Sequence, residues 1–245
     1  MLANHIVIVS HRTLIMNSEL AIDLSHAPTP ACLAATAFLD CHHPAVIDYA
    51  NGAIGNTQGV RDRAIKLYYA VRDGIRYDPY HCNIGPESYR ASAVLADGRG
   101  YCIPKALLLA TLARAVGIPS GIGLADVRNH LATEEMLRGM NTTRFFHGYT
   151  LLYLDDHWVK ASPAFNLGMC QRFDVLPLEF DGIHDALLHP YDARDRRHME
   201  YLGEHGTFSD LPIDFVLKTL WERYPGYMRS ANAEHQFETE APAQH

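Results

Sequence analysis

The sequence predicts an α+β protein in which a helix that begins near a cysteine packs against an antiparallel sheet. The stretch GRGYCIPKALLLATLARAVGIPS (98–120) joins a glycine-rich turn to a strong helix pattern. The stretch RFFHGYTLLYLDDHWVKASPAFN (144–166) has the pattern of a β-hairpin, because apolar and aromatic runs flank the acidic turn Asp155–Asp156. Weaker patterns on both sides of these stretches predict an N-terminal extension and a helical C-terminal extension.

A further helix is predicted directly before the cysteine segment. In NTQGVRDRAIKLYYAVRDGIRYDPY (56–80), apolar residues recur at helical spacing from Val60 to Ile75. Asn56 or Thr57 is the expected N-cap, because both residue types accept hydrogen bonds from a helix start. This helix would lead the chain into the glycine-rich turn.

The flanking regions carry weaker signals. Alternating apolar residues over 6–16 predict strands, and TPACLAATAFLDCHHP (29–44) has the pattern of a short helix that ends before Pro44. The stretch NGAIGNTQG (51–59) has the composition of a loop. Near the other end, LPIDFVLKTLWERYP (211–225) predicts an amphipathic helix.

The composition is that of a soluble protein that can form its own core. The 245 residues are 48% hydrophobic and 20% charged, and this length suits one large domain or a domain with an extension. The formal net charge of −7 gives no general attraction to nucleic acid or to an acidic membrane face. We therefore expect neither as a partner, and the sequence leaves the oligomeric state open.

The cysteine content and the N-terminus predict a cytoplasmic protein. The cysteines are odd in number and widely spread, which favours reduced thiols. They are Cys32, Cys41, Cys82, Cys102 and Cys170. The apolar run at 6–9 is too short for a signal peptide or a membrane span.

Cys102 lies where the start of a helix can activate a thiol. The following helix is expected over about 104–116, with Gly117 as the residue that ends it. Unpaired N–H groups and the dipole at a helix start stabilise anions, so a thiolate there gains nucleophilicity at neutral pH. Gly98 and Gly100 let the backbone bend and a substrate approach. The alternative is that Cys102 is a small buried apolar residue, and this segment alone does not decide.

A cysteine nucleophile also needs a base and a group that orients the base. The chain has 15 histidines, so a histidine after the cysteine is weak evidence by itself. His147 differs from the others in position, because it lies early in the first strand of the predicted hairpin. Trp158 lies on the returning strand.

The segment ASAVLADGRGYCIPKALLLATLARAVGIPSGIG, followed by FFHGYTLLYLDDHWVKASPAFN, resembles the catalytic core of the transglutaminase-like superfamily. The resemblance is closest to bacterial papain-like cysteine hydrolases and acyltransferases. It lies in a glycine-x-cysteine entry into a helix that ends RAxGIP, a histidine that opens a strand, and YLDxxWVK…P. It covers roughly Asp62 to Asn166 and implies a papain-like core with a Cys-His-Asp triad. In that triad Cys102 is the nucleophile and His147 the base.

The third triad member departs from the family pattern. The family usually has an aspartate before the proline that ends the second strand, and this chain has Ser162 there. With the turn centred on Asp155–Asp156, His147 faces Ala164, and Ser162 and Asn166 are its diagonal neighbours, about 7–8 Å away at the backbone. Ser162 is favoured by position, and Asn166 is the alternative, since asparagine orients the base in papain-like enzymes.

A second donor for the oxyanion, beside the amide of Cys102, is not identified by the sequence. Tyr80 and Tyr77 precede the nucleophile and are candidates, although packing is the commoner role of such aromatic residues. CHH at 41–43 and HC at 81–82 lack the paired spacings of zinc sites. We therefore expect no metal and no cofactor.

These signals divide the chain into four expected parts. They are an N-terminal strand and helix extension (1–55), a transglutaminase-like catalytic core (56–170), a mainly helical C-terminal extension (171–229) and a disordered tail (230–245). The predicted function is a cysteine-dependent hydrolase or acyltransferase that acts on a peptide or protein amide through a thioester. The alternative is a catalytically weak module that uses the same cleft to hold a peptide or partner.

Overall fold

The computed structural model describes residues 19–81, 85–130, 132–188 and 199–230. The strands predicted over 6–16 and almost all of the predicted tail lie outside the described residues. The helices are α1 (Pro44–Ile54), α2 (Val60–Gly74), α3 (Ala91–Asp97), α4 (Cys102–Ala115), α5 (Glu134–Met140), α6 (Leu167–Phe173), α7 (Ile213–Arg223) and α8 (Pro225–Ser230). The strands are β1 (Arg76–Tyr77), β2 (Arg99–Gly100), β3 (Ser120–Asn129), β4 (Arg144–Leu154), β5 (His157–Ala161) and β6 (Met199–Phe208).

The architecture is α+β, as predicted. Strands β3 to β6 form an antiparallel sheet in the order β5-β4-β3-β6, and β1 and β2 form a separate parallel pair. Helix α4 packs against the sheet, and every residue from Cys102 to Arg114 is buried. A helix that is enclosed on all sides forms the centre of a core. Helices α1, α2 and α3 cover its remaining surface.

The predicted hairpin is confirmed together with its register. Strands β4 and β5 pair Leu154 with His157, and the two turn residues Asp155 and Asp156 have φ angles of 47° and 67°. Tight hairpin turns with two left-handed residues match the right-handed twist of the strands that they connect. Strand β5 ends at Ala161, so the pairing stops before it reaches the level of His147.

Helix α4 starts two residues before the predicted position and ends as predicted. Its first residue is Cys102, and the N–H of Lys105 donates to the carbonyl of Tyr101 at 3.2 Å. Pro104 lies in the first turn, where a proline costs no helical hydrogen bond. Gly117 has a φ of 81° and ends the helix, as expected of a left-handed terminal glycine.

The prediction of a helix over 29–44 is wrong. Only Pro30–Cys32 form a 3-10 turn, and Pro44 begins α1 instead of ending a helix. The hydroxyl of Thr36 accepts from the N–H of Leu39 at 2.9 Å and donates to Asp210 at 2.8 Å. Such side-chain bonds to the local backbone compete with helix formation.

Two other boundaries also differ. Helix α1 continues through the first part of the stretch predicted as a loop and ends before Gly55, which has a φ of 54°. Helix α2 has Gly59 as its N-cap, and neither Asn56 nor Thr57 caps it. The exact ends of a helix depend on the conformation of its first and last turns, which the spacing of apolar residues does not define.

Strand β6 was not anticipated from the sequence. It pairs with β3 through a ladder with two irregularities, and it contains Gly203 and Gly206. Glycine is unfavourable in strands, and most of this strand is only partly buried, so the usual alternation of apolar residues is weak. Within the described residues, no helix has the length and apolar character needed to cross a membrane.

A buried lysine joins the nucleophile helix to the end of α2. Lys105 is fully buried, and its side-chain nitrogen donates to the carbonyl oxygens of Arg72, at 2.9 Å, and Ile75. The amide of Asn166 donates to the same two oxygens and accepts from the N–H of Tyr77 at 2.5 Å. Because these bonds share two carbonyls, they fix the position of β1 beside the start of α4.

We predict that the donors Lys105 and Asn166 are energetically coupled. Each of the variants Lys105→Met and Asn166→Ala should lower the free energy of unfolding by about 1–3 kcal/mol. The double variant should lose about 1 kcal/mol more than the sum, since both shared carbonyls then lack a side-chain donor. Urea unfolding of the four proteins measures this.

These four proteins form a double-mutant cycle, and the matched control uses Lys66. This lysine also donates to a backbone carbonyl, that of Ile54, at 3.3 Å. The cycle between Lys66→Met and Asn166→Ala should be additive, because these residues share no partner. Additivity of the Lys105 cycle within about 0.5 kcal/mol would contradict the proposed coupling.

Candidate active site

Cys102 is the first residue of the central helix and lies at the edge of a cavity. It is 8% exposed, and its thiol donates to the carbonyl oxygen of Phe146 at 3.8 Å. Tyr101 before it is extended, so the chain turns sharply into α4 at the cysteine. The thiol therefore lies at the N-terminal end of α4, where the helix dipole favours negative charge.

His147 reaches the same place from the sheet. Strand β4 passes so close to α4 that a Cβ atom on Gly148 would lie 2.9 Å from the Cα of Ile103. One turn later, the hydroxyl of Thr150 donates to the carbonyl of Ala106 at 2.7 Å. Because the two elements run side by side, Cys102 and His147 line one cavity.

Ser162 is hydrogen-bonded to the imidazole. Its Oγ lies 3.2 Å from Nε2 of His147, and the serine is 2% exposed. Its backbone is fixed on both sides, because its N–H donates to Ala186 at 2.7 Å and its carbonyl accepts from the hydroxyl of Tyr68 at 3.2 Å. When Nε2 carries the proton that Ser162 accepts, Nδ1 is free to act as the base.

Asn166, the alternative partner, has a different role in the structure. Its amide bonds to backbone groups of the α2–β1 segment, as described above. Of Ser162 and Asn166, only Ser162 is hydrogen-bonded to His147.

Burial keeps the imidazole of His147 neutral. His147 is 3% exposed, and burial lowers its pKa to about 4. At neutral pH the ring is therefore able to accept a proton. A serine hydroxyl orients the ring but carries no charge that would stabilise the imidazolium form.

Of the two tyrosines considered as oxyanion donors, Tyr77 lines the cavity and Tyr80 does not. Burial raises the pKa of Tyr77 well above its usual range, and the neighbouring Cys102 raises it further. Tyr80 packs against Tyr227 instead, with ring centroids 6.3 Å apart. Tyr77 is thus the better placed of the two to donate a hydrogen bond near the sulfur.

The cavity and its mouth enclose about 620 Å³ of empty space, which includes open solvent. Its walls are mainly aromatic and aliphatic, and no Asp, Glu, Lys or Arg is among the described residues that line it. Besides Cys102 and His147, the lining consists of Tyr77, Pro79, Tyr101, Val127, Asn129, Met136, Met140, Phe145, Phe146, Ala164, Phe165, Met199, Leu220, Tyr224 and Tyr227.

Part of this lining was missed by the sequence analysis. Met136 and Met140 come from α5, Leu220 from α7, and Tyr224 and Tyr227 from the C-terminal end of the described chain. The apolar face of the helix predicted over 211–225 indicates that the helix packs, but a periodic pattern does not reveal its partner.

Of the described cysteines, only Cys102 lines this cavity. Cys32, Cys41 and Cys170 are free and buried, and Cys82 lies outside the described residues. Burial raises the pKa of Cys41 and raises that of Cys170 to about 11. Among the described residues, no group of three or more His, Cys, Asp or Glu side chains could hold a metal ion.

A thiol at the start of a buried helix and an imidazole on the adjacent strand are the two kinds of group that nucleophilic catalysis by cysteine requires. Residues 47–163 match a family model of the transglutaminase-like superfamily. This segment of the chain therefore belongs to the transglutaminase-like superfamily. No curated protein matches the chain.

Two solved structures are similar to the chain at low sequence identity. One is described as "a Putative Cysteine Protease from Cytophaga hutchinsonii", with 14% identity, a TM-score of 0.45, and coverage of 76% of this chain and 57% of the other. The second is "a putative protease from Parabacteroides distasonis", with 15% identity, a TM-score of 0.34, and coverage of 47% and 22%. The chain thus spans little more than half of the first structure and less of the second.

We predict that Cys102 reacts with iodoacetamide at pH 7 faster than the other cysteines, and that His147→Gln slows this reaction. The imidazole can take the thiol proton, whereas burial raises the pKa of Cys170 and disfavours its thiolate. Peptide mass spectrometry after timed labelling measures each site, with Cys170 as the matched buried thiol. Equal labelling of all the cysteines would contradict the prediction.

The low pKa of His147 also predicts a pH dependence of stability. The unfolded chain binds a proton on this residue near pH 6.5, and the folded protein does so only near pH 4. The unfolded state therefore binds more protons between these values, and stability falls as the pH falls. Between pH 7 and pH 4.5 the loss from this residue should be about 2–3 kcal/mol.

The measurement is urea unfolding of the wild type and of His147→Gln at both pH values. The variant should lose less stability on acidification by the amount stated above, because glutamine does not titrate. Identical losses in the two proteins would show that His147 is not held neutral by burial.

Proposed function

We propose that the protein is a cysteine-dependent amide hydrolase or acyltransferase that works through a thioester intermediate. The observation that carries the proposal is the meeting of Cys102 and His147 at one cavity, with Ser162 bonded to the imidazole. The segment that supplies all three residues matches the transglutaminase-like family model.

In the first half of the proposed reaction, the thiol proton passes to Nδ1 of His147 while Sγ of Cys102 attacks a substrate carbonyl carbon. A C–S bond forms, and the carbonyl oxygen becomes an oxyanion. The N–H of Cys102 and the hydroxyl of Tyr77 are the proposed donors to it. The bond to the leaving amine then breaks as the imidazolium returns a proton to that nitrogen, which leaves a thioester.

In the second half, water or an amine attacks the thioester, and His147 accepts the proton of the attacking group. The C–S bond breaks, the acid or the new amide leaves, and the proton returns to the sulfur. Hydrolysis is the preferred outcome, because no carboxylate that could hold a cationic amine occurs among the described residues lining the cavity.

A second candidate function is binding with little or no turnover. The observation that favours it is Ser162 at the position where the family usually has aspartate. A neutral hydroxyl leaves the developing imidazolium without a counter-charge, which can cost a few powers of ten in rate.

Substitutions at position 162 distinguish the two functions. For an enzyme, Ser162→Ala should lower kcat on a model amide or ester about 10- to 100-fold with little change in KM, because it removes only the orientation of the ring. Ser162→Asp should raise kcat. It should also shift the acid limb of the pH–rate profile to higher pH, because a carboxylate raises the imidazole pKa.

The control variants are Cys102→Ala, which should abolish turnover, and Ser120→Ala. Ser120 is a buried serine whose hydroxyl donates to the carbonyl of Ala110 at 2.6 Å, outside the cavity. Its loss should lower stability but not kcat. If the wild type is inactive and Ser162→Asp alone creates activity, the binding function is correct and the enzymatic one is wrong.

A further inference from the structure

We infer that the C-terminal helices α7 and α8 close one end of the cleft, so that the site selects substrates with an apolar acyl group at their end and rejects internal segments of a polypeptide. The inference rests on the proposed function and adds a substrate class to it. Three features of the described chain carry it.

The first feature is that Tyr224 occupies the free edge of the strand that holds His147. Beyond the end of β5, none of the described strands lies next to β4 on that side. The hydroxyl of Tyr224 accepts from the N–H of Phe146 at 2.8 Å and donates to the carbonyl of Arg144 at 3.0 Å. An extended peptide would add to a strand edge through such backbone groups, and here a side chain of the protein already uses them.

The second feature is that the same helices reach the opposite wall of the cleft. The ring of Tyr227 packs against Tyr80, which lies in the segment before the nucleophile. Helix α8 also contacts α5, since a Cβ atom on Gly226 would lie 3.3 Å from the carbonyl oxygen of Gly139. The C-terminal segment therefore spans the cleft from the strand wall to the wall that α5 forms.

The position of α7 is fixed by charges. Asp126 of β3 is 1% exposed and pairs with Arg223 at the end of α7 and with Arg144 of β4, the latter at 2.6 Å. The guanidinium of Arg223 also lies 5.8 Å from the centre of the Phe146 ring. Arg223 therefore ties the end of α7 to a buried carboxylate of the sheet, which Arg144 and His205 also contact.

The third feature is the chemistry of the closed end. Met136, Met140, Phe145 and Leu220 line the cavity from three different elements. A charged group that entered this space would lose its hydration without gaining a partner. An alkyl or aromatic group would be favoured, by about fourfold in kcat/KM for each buried methylene.

The test uses p-nitrophenyl esters, whose acyl groups form the same thioester on Cys102 and release p-nitrophenolate. We expect kcat/KM to rise about fourfold per methylene from the acetate until the pocket is full. The hemisuccinate ester, with a charged end, should react at least tenfold more slowly than a neutral ester of similar length. A fluorogenic peptide with several residues on each side of the cleavable bond should not be cleaved.

A lining variant tests the position of the pocket. Met140→Lys places a cation in the half-buried part of the wall and should raise the hemisuccinate rate relative to the neutral ester about tenfold. The matched control is Met169→Lys, a half-buried methionine of α6 that does not line this cavity, and it should leave the ratio unchanged.

The outcomes separate the two proposals. Release that depends on Cys102 but is insensitive to acyl length and charge, or equal cleavage of the internal peptide, would overturn the closed apolar pocket and leave the proposed function standing. If Cys102→Ala releases p-nitrophenolate as fast as the wild type from every ester, the proposed function fails and this inference fails with it. A rate that rises with apolar length and depends on Cys102 supports both.

Discussion

The candidate site depends on how closely β4 approaches the start of α4. Only glycine at position 148 lets the strand backbone come this near to Ile103, because any side chain would collide with the helix. The bond from Thr150 to Ala106 continues the same contact along the helix. Cys102 and His147 are the chain neighbours of these closely packed residues, which explains why both side chains reach one cavity. Moving the strand outward by even one side-chain layer would separate the thiol from the imidazole.

The parts of the fold that arise from local signals could be predicted from the sequence. The acidic turn at Asp155–Asp156 determined the register of the hairpin, and extending that register predicted Ser162 and Asn166 as diagonal neighbours of His147, of which Ser162 is hydrogen-bonded to it. Contacts between distant segments could not be predicted in this way. Strand β6 carries a weak pattern of its own and is stabilised by pairing with β3. Likewise, the pattern of α7 showed that it packs, but gave no indication that Tyr224 reaches the edge of β4.

Burial and charge have opposing effects at the base. A carboxylate at position 162 would stabilise the imidazolium of His147, but it would also have to be desolvated in a place that is almost closed to water. The neutral pair of Ser162 and His147 avoids that cost in the resting protein and leaves the imidazole uncharged. In the proposed reaction, the N–H groups at the start of α4 would stabilise the anionic sulfur or oxyanion and not the imidazolium, because the start of a helix favours negative charge. Such dipoles are most effective in a site with little water.

The C-terminal helices meet this requirement for a dry site without placing a charge inside it. Asp126, Arg144 and Arg223 hold α7 against the sheet, yet none of the three lines the cavity. Phe146 contacts both regions, since its ring faces the guanidinium of Arg223 and also forms part of the cavity wall. The strong interactions that fix the wall are thus kept apart from the apolar surface that the wall presents to the thiol. This separation explains how one short segment can be firmly anchored by ion pairs and still form an uncharged pocket.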